Sequence, residues 1–397
     1  MESGSILRGK QVAIIGAGPG GLTLARLLQL RGVSVRVFER DASSSGHGQE
    51  PGGGLDLHES SGQHALEQAG LLRRFHELAR PRSQRSRVFD KHGDELFDMR
   101  ESGEPETRPE IERHELRELL LESLEPGTVL WETPVRDVAK GAGERHEIRF
   151  DHGEVFEADL VVGCDGVWSR ARPVLSPVQP SYVGVTFVET RFTDPDVRSP
   201  HIAKLVGTGN IAALGDEKGL MARRNGDGSI RVYVVMRIPE MWVKQKVVNF
   251  GPARIRQKLL EQFGDWAPRV RALLEESDDV FALRPLYTFP AEHAWPTRAG
   301  ITLLGDAAHV MPPFAVTARG ANMAMLDAVE LVDALATFDG VSSLPALRHY
   351  EERMLARMAP AIRETLAAQD QIISKSAPAA LGQAIRARRT RRDLALH

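Results

Sequence analysis

Gly16-Ala17-Gly18-Pro19-Gly20-Gly21 follows the apolar run Val12-Ala13-Ile14-Ile15 and precedes Leu22, Leu24, Ala25, Leu27 and Leu28, which recur at helical spacing. That order predicts a strand, a tight turn and a helix. Gly16 permits the turn, Gly18 lets the backbone approach a pyrophosphate, and Gly21 lets helix and strand pack closely; the helix N-terminus then offers free N–H groups to phosphate. A second apolar run, residues 33–38, ends in Glu39, and an acid at that place accepts hydrogen bonds from ribose hydroxyls. A glycine-rich turn alone is weak evidence. Strand, helix and terminal acid together predict dinucleotide binding on a Rossmann-like α/β domain of the GxGxxG type.

The chain has 397 residues, more than one core fills comfortably, so two or more domains are expected. A hydrophobic fraction of 42%, a charged fraction of 26% and a net charge of −3 fit a globular protein with no long-range field for nucleic acid or an anionic membrane. Its one cysteine, Cys164, precludes an internal disulfide and fits a reducing compartment. Arg8 and Lys10 precede an apolar run as in a secretion signal, but the glycine turn interrupts that run. No apolar segment reaches the roughly 20 residues of a membrane span. The expectation is a soluble, cytoplasmic monomer without nucleic-acid or membrane partners.

Along the chain, residues 42–50 read as a polar loop that leads to Gly52-Gly53-Gly54-Leu55-Asp56-Leu57-His58, glycines suited to close approach to a ligand or to a surface turn. Ala65, Leu66, Ala69, Leu72, Phe75 and Leu78 repeat at helical spacing over residues 61–79. Residues 87–99 read as a hairpin around His92-Gly93-Asp94. Arg113 opens a helix with Leu116, Leu119, Leu120 and Leu124 on one side. Residues 128–164 read as a strand meander that closes on an apolar run ending in Asp165-Gly166, where a parallel sheet would deliver a carboxylate to its ligand edge. Residues 182–192, 202–206, 219–223 and 230–238 read as strands and 252–276 as a helical pair. Gly300 to Gly305 then form a strand before Asp306-Ala307-Ala308-His309. A helix starts near Gly320-Ala321-Asn322 and a long one covers 344–373, with a basic tail (Arg386, Arg388, Arg389, Arg391, Arg392) read as solvated charge.

Three separated motifs, the glycine turn with Glu39-Arg40, Asp165-Gly166, and Gly305-Asp306-Ala307-Ala308-His309 before Pro312, resemble the class A FAD-dependent monooxygenases, the aromatic hydroxylases, over residues 11 to about 337. Gly53-Gly54-Leu55-Asp56, Glu110-Ile111-Glu112-Arg113 and the Gly305–Phe314 wording are most similar to the tetracycline-inactivating members. The resemblance implies FAD as cofactor and NADPH and O2 as co-substrates. It implies capture of O2 as a flavin C4a-hydroperoxide and hydroxylation of a polycyclic or phenolic small molecule such as a tetracycline, with no side chain assigned as catalytic acid or base. His309 reads as structural. The implied cofactor-binding set is Gly16, Gly18, Gly21, Glu39, Arg40, Asp56, Arg113, Asp165, Asp306, Pro312, Gly320, Ala321 and Asn322, and the implied substrate-binding set is Glu189, Met221, Arg231, Pro313 and Phe314. No metal site is expected, since no HExxH or CxxC occurs.

The implied division is an FAD-binding domain from residues 1–73, 101–177 and 285–340, a β-sheet substrate domain from 74–100 and 178–284, and a bridging C-terminal helix with its tail at 341–397. Asp306, at the end of a buried strand, is costly unless polyol hydroxyls satisfy it, or else it caps a helix. A helix starting near Gly320 would place partial positive charge at the flavin pyrimidine edge. The chain departs from the family pattern at residues 312–320, which lack one glycine and run two residues longer, and at Gln49-Glu50, where the tetracycline-inactivating enzymes carry an arginine. Glu189, Ile211, Met221 and Arg231 fall where tetracycline contacts would be Gln, Arg, Phe and His. Two rival readings keep the fold: a flavin reductase or dehydrogenase (a halogenase would carry WxWxIP), and a non-catalytic flavin-binding protein.

Overall fold

The computed structural model describes residues 7, 9–43, 53–80, 85–100, 108–242, 250–314, 319–338 and 341–378. The sequence readings on Gln49, Glu50, the 315–318 loop and the arginine tail lie outside the described residues. The chain divides into two units: Met1–Pro81, Glu106–Ser181 and Tyr287–Thr365 form the first, and Arg82–Pro105, Tyr182–Leu286 and Leu366–His397 the second. Residues 74–81 thus fall in the first unit, because Phe75 is fully buried in its core.

The first unit is built on a five-stranded parallel sheet in the order Ile301–Leu303, Leu160–Gly163, Val12–Ile15, Val35–Phe38, Val129–Leu130. Val12–Ile15 and Leu160–Gly163 are buried at every position, as strands covered on both faces must be. A three-stranded antiparallel sheet from Val135–Lys140, His146–Phe150 and Val155–Ala158 adds to this unit. The Rossmann-like α/β reading holds. The helix Pro19–Gln29 follows the glycine turn, and Arg113–Glu122 begins with a capping box between Glu112 and Glu115, which satisfies N–H groups at the helix start. The stretch read as helical over 61–79 begins in a π-helical turn, Glu59–Gln63, continues as His64–Gln68 and resumes as Leu72–Leu78 after a break at Gly70, whose φ is +72°. The long helix Leu344–Ile372 carries Pro360 within it.

The second unit is a seven-stranded sheet in the order Ala282–Thr288, Ser181–Phe192, Ile230–Arg237, Lys218–Arg224, Asn210–Gly215, Arg85–Asp90, Glu95–Arg100. One face carries Phe89, Val188, Ile211, Leu220, Val232 and Val234, packed with Ile202, Leu259, Phe263 and Leu273 from the covering helices. The strand expected at 202–206 is instead the helix Pro200–Val206. Pro200 stands in its first turn, Ile202, Ala203 and Val206 are its buried side, and Gly207 at φ +67° ends it. Trp266 and Trp295 are core residues. Among the described residues no helix is long and apolar enough to cross a membrane, and no cluster suits a metal ion.

Candidate functional site

Because the large sheet of the first unit is parallel, its strands end at one edge. Gly16 follows Ile15, Glu39 follows Phe38, Asp165 lies just beyond Gly163, and Asp306 just beyond Leu303. In such a sheet ligands bind outside the carboxyl ends, where the strand order reverses. The three glycines of the turn answer different demands. Gly16 has φ +104°, and a Cβ there would lie 2.6 Å from the Cys164 carbonyl oxygen. A Cβ at Gly21 would lie 2.2 Å from the Gly16 carbonyl oxygen. Gly18 is extended at φ −80°, and a Cβ there would meet nothing within 4 Å. The following helix has no side-chain cap and no acid in its first turn, which leaves its opening N–H groups and positive dipole end for an anion.

Glu39 is buried beside this turn. Its Oε2 accepts the Ala17 N–H at 2.6 Å and its Oε1 the Asp41 N–H at 3.1 Å. Arg117, from the Arg113–Glu122 helix, donates Nε–H to the Ala17 carbonyl at 3.1 Å and stands 3.4 Å from Asp41. The role of Arg117 in bracing the turn is not visible in the sequence. Arg40 is exposed.

Asp165 Oδ2 accepts the Arg170 N–H at 2.6 Å, whereas Oδ1 is buried with no hydrogen-bond partner among the described residues. Burial raises the Asp165 carboxyl above its ordinary range, against the lowering effect of Ser169 and the Arg170 amide. A buried acceptor without a donor is costly, and a ligand hydroxyl would satisfy it. Arg172, also buried, donates to the Ala307 carbonyl at 3.2 Å and lies 4.8 Å over the Phe289 ring. It ties the segment after Asp165 to the Asp306–His309 helix.

Asp306 is the first residue of that short helix, and the cap position is Gly305 at φ +61°. The buried strand ends at Leu303, and the turn through Gly305 brings Asp306 out as an exposed residue at the sheet edge. Burial of its carboxyl raises it above the ordinary carboxylate range, against His309 and Arg113, which lower it. Arg113 and Asp306 are therefore electrostatic neighbours.

Asn322 is fully buried, and its side chain is spent on the protein itself. Oδ1 accepts the His58 N–H at 2.9 Å, the Ser61 hydroxyl at 3.2 Å and the Gly62 N–H at 3.2 Å, while Nδ2 donates to the Asp56 carbonyl at 2.8 Å. It pins the segment carrying Asp56 to the start of the Arg319–Thr337 helix, where Gly320 and Ala321 are half-buried. The Asp56 carboxylate is buried, with His58 Nε2 3.4 Å from its Oδ2. Ala324 on the same helix packs where a Cβ at Gly20 or at Gly305 would stand, 3.0 and 2.9 Å away. Pro312 is buried, and its carbonyl accepts the Thr365 hydroxyl at 2.5 Å. Pro313 is exposed, whereas Phe314 is 5% exposed.

In the second unit, Glu189 and Arg231 lie on the sheet face opposite the helix-covered core. Glu189 is buried and takes Arg231 on one oxygen and Arg284 Nε on the other, the latter at 2.8 Å. Glu189, Tyr233, Met221 and Ala212 stand in cross-strand register, so they share that face. Ile211 does not: it is 2% exposed in the core on the other face, one residue out of phase with Met221. Arg284 escapes a reading of the sequence, because nothing local marks it as the partner of Glu189.

The FAD binding domain family model matches residues 10–365. Monooxygenase asqM of Emericella nidulans is 31% identical over 374 residues, covering 82% of this chain and 83% of the relative. Monooxygenase penA of Penicillium thymicola is 32% identical over 372 residues, covering 82% and 84%. Among solved structures, Klebsiella pneumoniae HpxO complexed with FAD and uric acid aligns with a TM-score of 0.75 at 20% identity, covering 96% of this chain and 93% of that one. Tetracycline destructase Tet(51) aligns with a TM-score of 0.70 at 17% identity, covering 95% of each chain. The parallel-sheet edge with its glycine turn and acids, and a family match along nearly the whole chain, lead to one conclusion: this protein belongs to the FAD-binding class A flavoprotein monooxygenases.

Proposed function

We propose that this enzyme hydroxylates a polycyclic or phenolic small molecule with NADPH and O2, so that substrate, O2, NADPH and a proton give hydroxylated substrate, water and NADP+. The observation that carries this reading is the sheet edge where Gly16, Glu39, Asp165 and Asp306 meet, a geometry suited to one flavin nucleotide. FAD, when bound, supplies the oxygen chemistry. The first unit holds the cofactor: Gly18 admits the pyrophosphate, Glu39 takes the ribose, and Asp165 and Asp306 take polyol or phosphate-side groups. Asp56, Arg113 and the Gly320–Asn322 backbone stand on the flavin side. The second unit presents the substrate face. There Glu189, held between Arg231 and Arg284, fixes two guanidinium groups that hydrogen-bond phenolic or enolic oxygens, beside Met221. A tetracycline is one candidate, and the chain's likeness to solved tetracycline destructases is one of fold.

The test is reconstitution with FAD, then NADPH oxidation and product mass with a panel of phenols and polycyclic compounds that includes a tetracycline. A product heavier by one oxygen atom supports the reading. NADPH oxidation with no oxygenated product from any of the panel favours the reductase reading, and FAD uptake without NADPH oxidation favours the non-catalytic one.

A further inference from the structure

We propose that Asp327 is a positioning residue of the flavin site, one that fixes the turn carrying Asp306 and sets the electrostatic potential behind it. The inference rests on the reading that Asp306 faces FAD. Asp327, on the Arg319–Thr337 helix, is fully buried. Its Oδ2 accepts the Gly305 N–H at 3.0 Å and faces His309 Nε2 at 2.6 Å, so one carboxylate oxygen grips both ends of the Gly305–His309 segment. Its Oδ1 takes Arg357 from the Leu344–Ile372 helix at 2.5 Å. With Asp327 ionised, the His309 proton lies on Nε2.

Other contacts also hold this segment. Tyr350 donates its hydroxyl to the Leu303 carbonyl at 2.9 Å, and Arg172 donates to the Ala307 carbonyl. Those are hydrogen bonds to single carbonyls. Asp327 alone of these brings a negative charge to both ends of the turn, and burial of that charge is costly unless it is paired and hydrogen-bonded. His309, Arg357 and the Gly305 amide together hold the Asp327 carboxyl below its ordinary range although burial by itself would raise it. Charged groups of both signs thus run from the helix pair to the ligand edge, Arg357, Asp327, Asp306 and Arg113, with the His309 ring held on Asp327. Gly305, at φ +61°, needs this clamp, because an unheld glycine in that conformation is free to leave it.

The experiment compares wild type, D327N, E330Q, D306N, H309A and H309Q by FAD dissociation constant and flavin midpoint potential. Glu330 is the second carboxylate on Arg357 and, among the described residues, pairs with Arg357 and Arg353 and not with the turn, so E330Q controls for a merely structural loss around Arg357. D327N is expected to weaken FAD about tenfold and to shift the midpoint potential upward, since removal of a negative charge favours reduced, anionic flavin. E330Q is expected to stay within threefold with an unchanged potential. H309Q, whose amide nitrogen reaches about the place of Nε2, should recover most of the affinity that H309A loses. The proposal is overturned if D327N stays within threefold with an unchanged potential, if E330Q loses as much as D327N, or, should D327N not fold, if H309Q binds FAD no better than H309A. If D306N binds FAD like the wild type, the reading of Asp306 fails instead; if D306N weakens binding and D327N does not, only the positioning role fails.

Discussion

Replacement of Asn322 by alanine removes a clamp that is fully buried, so its cost can be worked from the bonds it makes. The His58 and Gly62 amides and the Ser61 hydroxyl lose their shared acceptor, and the Asp56 carbonyl loses a donor. A buried group left without its partner costs about 1–3 kcal/mol. Water entering the space left by the truncated side chain recovers part of this, so a net local loss of about 2–3 kcal/mol is expected, or about 30- to 140-fold in a local opening equilibrium at 1.4 kcal/mol per tenfold. The assay is amide hydrogen exchange of the apoprotein resolved at residues 58–62, where two of the lost bonds belong to the exchanging amides themselves. Exchange there should accelerate by that factor, while residues 160–163, in the strand Leu160–Gly163 of the central sheet, keep their protection. Acceleration of less than threefold at residues 58–62 would refute the assignment of Asn322 as the anchor of the Asp56 segment.

The glycine turn offers a paired test: G21A places a Cβ 2.2 Å from a carbonyl oxygen and should yield little folded protein, whereas G18A, with open space around it but a poorer helix cap, should lower the apoprotein melting temperature only slightly while FAD affinity falls tenfold or more by titration. D165N should make the apoprotein more resistant to urea at neutral pH. The Asp165 carboxyl is raised by burial, so its folded-state contribution is complete below the ordinary carboxylate range and is lost as pH rises through the raised value; the advantage of the variant should vanish in acid, and equal urea midpoints at neutral pH would refute it. E189Q leaves Arg231 and Arg284 without their shared charge, so it should lower thermal stability and, in the proposed reaction, raise the substrate KM more than it changes the FAD dissociation constant.

Much of the fold is legible because its signals are local. The glycine turn, the apolar runs that become parallel strands, and the Arg113–Glu122 helix with acids at both ends of its capping box each lie within a few residues. The helix Pro200–Val206 reads as a strand because seven residues are too few to show a helical period, and Ile202, Ala203, Leu205 and Val206 pass for a buried strand. The local signs that correct it are Ser199-Pro200 at its start and Gly207 at its end. The site is less legible because its polar partners are remote in sequence. Asn322 reaches Asp56 across 266 residues and Arg284 reaches Glu189 across 95. Asn322, a ligand contact by motif alone, has its side chain spent on its own protein.

The glycines at the sheet edge divide in the same way. Where the folded chain itself forbids a side chain, glycine is explained by the fold, and that holds for Gly16, Gly20, Gly21 and Gly305 through carbonyl oxygens, Leu304 or Ala324. Gly18 is not explained so: its backbone is extended, nothing lies within 4 Å of its Cβ position, and it caps a helix that has no side-chain cap. No steric demand of the fold calls for glycine there, although glycine also suits a helix N-cap better than alanine does. A bare backbone at that helix start also leaves room for a negatively charged group to approach closely. Asp165 Oδ1, buried at the end of the adjacent strand without a donor among the described residues, would accept a hydroxyl of the same group. A phosphate and a polyol in one molecule, at adjacent strand ends of one sheet, is the chemistry of a flavin nucleotide.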